Sequence, residues 1–157
     1  MFSVPSDGTH GIMRRMDSNG SSPQHLSRGE CLRLMASVRV GRIIYTRQAL
    51  PAVELVNFAL DRGDIIIRTD RSGELAAATR GAVVAFQADS LDPSGQAGWS
   101  VTVIGHSHEV TDAEEISRLE PMGLSSWAPA EHEHFIRISP GILSGRRLGV
   151  LTAPARS

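Results

Sequence analysis

Residues 65–78, IIIRTDRSGELAAA, constrain the fold more than any other stretch of the chain: an apolar run stops at a threonine, crosses small residues and opens a helix. Three consecutive isoleucines favour a strand, because two heavy atoms on Cβ stiffen χ1 and pack well on a pleated face. Ser72 and Gly73 let the backbone turn, and Leu-Ala-Ala-Ala is among the strongest helix-forming tetrads. A helix start leaves about four backbone N–H groups unpaired and carries roughly half a positive charge, so such a junction can seat a phosphate. The same pattern also serves as a plain strand-turn-helix connection, and the rest of the chain decides between the two.

Around this junction the chain reads as short strands separated by turn signals. Residues 40–46 (VGRIIYT) and 52–60 (AVELVNFAL, introduced by Pro51) form two strands. Residues 61–64 make a tight turn into the isoleucine strand, with Gly63 taking the left-handed conformation of a bulged hairpin. A helix over about 72–79 leads to strands at 82–88 and 99–110, the second bent or bulged at Gly105. Residues 135–138 are a sixth strand, and 141–149 add a short ribbon.

Ser27 with Glu30 is a capping box for a helix to about residue 38, whose stripe is Leu32, Met35 and Ala36, and Leu26 can staple onto Cys31. Thr111 with Glu114 is a second capping box, for a helix to about 119. Hairpins without regular βαβ alternation predict a mainly β fold, an antiparallel barrel with two or three short helices as plugs. Residues 1–25, rich in Gly, Ser, Pro and Asp, read as a disordered N-terminal tail. Residues 26–149 form one domain and 150–157 a flexible C-terminal tail.

At 157 residues a single domain buries roughly 70% of its unfolded surface and builds a core unaided. Sixteen basic against 17 acidic residues leave a net charge of −1, which offers no field for nucleic acid or an acidic membrane. The single cysteine, Cys31, excludes an internal disulfide and a cysteine zinc site and points to a reducing, cytoplasmic setting; it packs rather than reacts. No apolar run approaches the ~20 residues of a membrane span. GxSxG, Walker and GxGxxG motifs are missing. His106 and His108, and again His132 and His134, stand two apart, so each pair faces one way on a strand. They read as polar residues of the surface or cleft, and no metal site is expected.

The order GRIIYT, PAVELVNFAL, GDIIIRT, SGELAAA, GAVVAFQAD, GWSVTVIGHSHEV resembles the pyridoxamine 5'-phosphate oxidase-like flavoproteins, the FMN-binding split barrels of actinobacterial style, over roughly residues 26–147. The resemblance implies a six-stranded antiparallel Greek-key split β-barrel, built as a homodimer with the flavin in a cleft between subunits. It implies that the backbone around Val56 and Asn57 lies beside the flavin ring, that Thr69 with Ser72 and Gly73 holds the phosphate, and that Trp99 and Ser100 approach the cofactor.

Where the family commonly has a lysine, this chain has Glu74. Even at an effective dielectric near 20, two like unit charges ~4 Å apart repel by about 4 kcal/mol. Arg68, Arg71 and Arg80 are near enough in sequence to substitute. The C-terminal part does not match the substrate-binding segment of true pyridoxamine phosphate oxidases, so vitamin B6 synthesis is not expected, and no residue is assigned as general acid or base. The resulting expectation is a flavoprotein binding FMN, or a deazaflavin, and transferring hydride or electrons to a small-molecule substrate, with neither nucleic acid nor membrane as partner. The rival is a non-redox split-barrel binding protein, with weak flavin or haem affinity, that has lost the phosphate-binding lysine.

Overall fold

The computed structural model describes residues 24–127 and 133–149; the expectations for residues 1–23, for 150–157 and for His132 lie outside the described residues. Strand β1 (Gln24–His25) pairs antiparallel with Arg147 and Arg146, so these two residues belong to the sheet and not to the tail. Helix α1 (Arg28–Met35) carries the expected capping box: the Ser27 hydroxyl accepts from Glu30 N at 3.2 Å, and the Glu30 carboxylate accepts from Ser27 N at 2.8 Å. It ends at Met35, three residues short of the expected limit, burying Cys31 and Met35 in the core.

Strands β2 (Val40–Arg47) and β3 (Leu50–Asp61) form a hairpin with Gln48 and Ala49 at φ 52° and 67°. A second hairpin joins β3 to β4 (Asp64–Asp70) with Arg62 and Gly63 at φ 56° and 85°. Both are two-residue loops with positive φ at both positions, the class whose twist matches that of the flanking strands. The turn at 61–64 is therefore not the bulged form expected.

Helix α2 (Glu74–Thr79), β5 (Val83–Leu91), β6 (Gly98–Glu109) and α3 (Ala113–Leu119) follow. The cap of α3 is Asp112, whose carboxylate accepts from Glu115 N at 3.0 Å, and not Thr111. After a short 3-10 turn at Glu120–Met122, β7 (Glu133–Leu148) is one continuous strand where two pieces were expected. It passes Pro140 and Gly141 by a bulge opposite Gly105, where a Cβ would strike the Ser139 carbonyl.

The strand order is β1-β7-β4-β3-β2-β5-β6, and β6 pairs again with β7. Every pairing is antiparallel, so six strands close into a barrel and β1 extends its rim. Inside sit Ile43, Ile65, Ile67, Phe86, Val101, Val103, Ile136 and Ile138, with Phe58 edge-on to Phe86 at 4.8 Å between centroids. Ile66 points the other way, with Val110, Leu119, Leu124 and Phe135. Successive residues of a strand face opposite sides, so all three isoleucines are buried only because α3 covers the outer face of β4.

Arg137 fastens the same layer. Its guanidinium meets Asp61 at 2.7 Å, Asp64 at 3.0 Å and Glu115 at 2.7 Å, and Arg118 adds a bond to Asp61 at 2.6 Å.

Candidate functional site

The β3–β4 ladder runs only from Asp61 and Asp64 to Phe58 and Ile67, and there the two strands part. Beyond that point β4 continues along β7 through Asp70 opposite Glu133, while β3 continues along β2 to Leu50 opposite Arg47. Residues 50–57 of β3 thus offer an open strand edge. Unpaired edge N–H and C=O groups are ready hydrogen-bonding partners for whatever lies beside them, and Pro51 is tolerated there because an edge does not need its missing N–H.

A hollow of about 260 Å³ fills the parting, lined by Glu54, Leu55, Val56 and Asn57 from β3, Arg68, Thr69 and Asp70 from β4, Gly73, Glu74 and Leu75 at the start of α2, and Ser126 and Trp127. A second hollow of about 340 Å³ meets it at Asn57 and continues along β3 beneath Met122 to Ser125. Together they make a groove of the size that small-ligand sites occupy. Val56 and Leu75 give it an apolar floor.

Six residues expected at the cofactor converge here: Val56, Asn57, Arg68, Thr69, Gly73 and Glu74. Trp99 and Ser100 do not. Trp99 is packed in the barrel core, and Ser100 lies opposite Asp89 and Arg146, so within one chain neither lines the groove. Ser72 is turned aside as well: its N–H and its hydroxyl both donate to Asp70 Oδ1 at 3.0 Å, and Gly73 N donates to the Asp70 carbonyl at 3.1 Å. Of the three residues expected to hold a phosphate, Ser72 and Gly73 spend these donors on Asp70, whereas Thr69 lines the hollow.

The cations are likewise committed. Arg68 Nε lies 2.9 Å from Glu133, an ionic contact rather than a directed hydrogen bond, and its other nitrogens reach the Leu124 carbonyl at 3.2 Å and Glu120 at 3.4 Å. Its guanidinium also stacks over Phe135 at 4.9 Å. Arg71 and Arg80 approach Glu109 at 3.9 and 3.6 Å, so neither serves as a substitute lysine at Glu74.

The partner of Glu74 is Arg47, at the end of β2. The separation of 27 positions hid this pair from sequence reasoning, which also missed Trp127, two-thirds exposed at the rim. An exposed tryptophan beside a groove is the one signal that could have found it.

His134 faces the barrel end beside Thr69, its register partner; it is 5% exposed and its Nδ1 is buried without a hydrogen bond. Burial holds its pKa below the usual histidine value, Arg71 and Arg80 act in the same direction, and Glu109 and Asp70 oppose them. His106 and His108 are exposed on β6, and none of the described histidines lines either hollow. Among the described residues no group of three or more His, Cys, Asp or Glu side chains gathers to hold a metal ion. No helix of the described residues is long and apolar enough to cross a membrane.

A closed antiparallel barrel parted at one seam, with a short helix over the parting, defines the split-barrel class of proteins. Comparison with known proteins narrows this further: the chain belongs to the pyridoxamine 5'-phosphate oxidase family, whose sequence model matches residues 27–147. An uncharacterized protein of Mycobacterium tuberculosis is 39% identical over 142 residues, covering 83% of this chain and 93% of that one. The structure of the FAD binding protein from Mycobacterium smegmatis is 30% identical with a TM-score of 0.73, covering 81% of this chain and 99% of that one. The FAD and heme binding protein of the same organism superposes with a TM-score of 0.68 at 15% identity, covering 84% and 77%; that likeness is one of fold alone.

Proposed function

We propose that this chain is a flavin-binding protein whose groove along the open edge of β3 receives the isoalloxazine ring and transfers hydride or electrons to a small molecule. The observation that carries the reading is the parting of β3 from β4, which sets an unpaired strand edge, an apolar floor and the exposed Trp127 around one groove. A flavin ring is flat and apolar with a hydrogen-bonding rim, and those are the features the groove offers. Kinship to the FAD binding protein of Mycobacterium smegmatis supports it.

When bound, a flavin supplies two-electron or one-electron transfer at its ring. The backbone at Val56 and Asn57 would bind the ring's polar rim, Val56 and Leu75 would pack on its face and exclude water, and Trp127 would close the open side. No side chain of the groove is assigned as a general acid or base. The ring end of the ligand fits these residues, whereas the phosphate end fits poorly: Ser72 and Gly73 serve Asp70, leaving Thr69 of the expected donors, and Glu74 replaces the lysine.

The assembly proposed is a homodimer. Val53, Ile44, Ala85, Ile104 and Ile142 are successive register partners across five strands and form one apolar row on the outside of the barrel. Val53, Ile104 and Ile142 are exposed, and Leu55 connects the row to the groove. A second copy seated there would bury the row and wall the groove, and would give Ser100, next to the core residue Trp99 on β6, a route to the partner's site.

The test is an absorbance spectrum of the purified protein followed by titration with riboflavin, FMN and FAD while flavin fluorescence is recorded. Bound yellow cofactor or saturable quenching at micromolar flavin supports the reading. A protein that takes up none of the three refutes it, and a haem Soret band would move the assignment to the non-redox rival.

A further inference from the structure

Resting on the flavin reading, we propose that this groove discriminates against a terminal phosphate, so that it takes riboflavin-class ligands, with a bare ribityl end, in preference to FMN. Two independent features carry this. The first is charge: Glu54 and Glu74 line the hollow, and the guanidinium in its lining, Arg68, is already held by Glu133, Glu120 and the Leu124 carbonyl. Arg47, outside the hollow, is matched one to one by Glu74. A phosphate monoester brings about 1.5 to 2 negative charges at neutral pH and would meet Glu54 and Glu74 with the lining's guanidinium already engaged.

The second feature is geometry. A phosphate at a strand-to-helix junction is held mainly by loop N–H and hydroxyl donors. Here Ser72 N, Ser72 Oγ and Gly73 N all point at Asp70, two at its carboxylate and one at its carbonyl. The Asp70 side chain therefore already holds the place of the anion, as an internal carboxylate that no ligand has to bring. FAD carries one charge on the phosphorus nearest the ribityl chain, because that phosphate is joined to the chain by an ester and to the second phosphate by an anhydride, and falls between the other two.

The experiment titrates the full-length protein with riboflavin, FAD and FMN, and repeats it for Glu74→Gln and Asp70→Asn. Asparagine keeps the acceptor oxygen on which Ser72 depends, and Glu74 is 70% exposed in its side chain, so both variants should fold. The expected wild-type order is riboflavin tightest and FMN weakest, with FMN weaker by about tenfold; this is less than a bare Coulomb estimate because exposed charges are screened. Each variant is expected to raise the ratio of FMN to riboflavin affinity by about threefold to tenfold.

Wild-type protein that prefers FMN over riboflavin by tenfold overturns the inference and leaves the flavin reading standing. An affinity ratio unchanged in both variants overturns it too. Failure of all three flavins to bind overturns the reading itself and the inference with it. Should Asp70→Asn fail to fold, Glu74→Gln decides alone.

Discussion

Arg137 has three carboxylates around one buried guanidinium, and at such a position the cost of removal is the charge left behind. Burial alone would lower its pKa, but the hydrogen bonds to Asp61, Asp64 and Glu115 outweigh it and raise the pKa, while Arg137 and Arg118 overcome the burial of Asp61 and lower its pKa. Arg137→Ala strands those acids and should destabilise the fold by about 3 to 5 kcal/mol, read as a lower midpoint in urea denaturation. His134 behaves in the opposite sense. Its folded pKa lies below its unfolded value, so the unfolded chain binds the extra proton first. Its contribution is complete above about pH 6.5 and is lost as pH falls from there toward the depressed folded value. The thermal midpoint should drop as pH falls below about 6.5 in the natural protein and drop less in His134→Gln. The lowered carboxylates Asp61 and Asp92 titrate further down and do not blur that window. The bonds of Asp70 went unread, although in TDRS the aspartate two residues before a serine is an Asx-turn signal, and Ser72 was assigned to a phosphate instead. The Arg47–Glu74 pair was not legible, since nothing local records a contact between a hairpin end and a helix 27 positions away.

The two hairpins solve one geometric problem with unequal residues. Gly63 takes its positive φ at no steric cost, but Arg62, Gln48 and Ala49 hold theirs against their own Cβ atoms. Ala49→Gly should relieve that conflict and stabilise the protein by about 0.5 to 1 kcal/mol, less the extra freedom glycine gives the unfolded chain, with a thermal midpoint raised by a few degrees as the check. The hairpin at 61–64 was legible because Gly63 announces it; the loop at 48–49 has no such residue, and only the apolar runs on either side betrayed it. The strands were readable as β-prone runs between turn signals, and the glycine at 105 marked the bulge or bend there. The continuity of β7 was not readable, since Pro140 and Gly141 are ordinary break signals and only a bulge carries the strand past them. The cap of α3 slipped by one residue for a similar reason: Thr111 and Asp112 are both good caps, and packing chooses between them.

Across the whole molecule the apolar row from Val53 to Ile142 is the feature with the widest reach. Ile142 is 60% exposed in the single chain and sits at one end of that row. A stable dimer of ordinary size buries about 800 Å² per partner. On the proposed dimer, Ile142→Glu would set a charge in that contact and is expected to shift dimer to monomer in light scattering coupled to size exclusion. Flavin affinity should fall in parallel if the partner walls the groove. The closed barrel was legible from hairpins without helical crossovers, but its seam was not, because the point where β3 leaves β4 depends on where β7 and β2 pull each strand. The place of β7 also bears on how the protein is born. This last strand pairs with β1, β4 and β6, so every earlier strand leaves the ribosome before the one that closes the ring. The nascent chain carries the bare flanks of β4 and β6 until residue 148 emerges, and its final zippering joins positions more than 120 apart, such as Gln24 and Arg147. Closure of the barrel therefore waits on β7, and a chain stopped or clipped before it is left with two adhesive strand edges, those of β4 and β6.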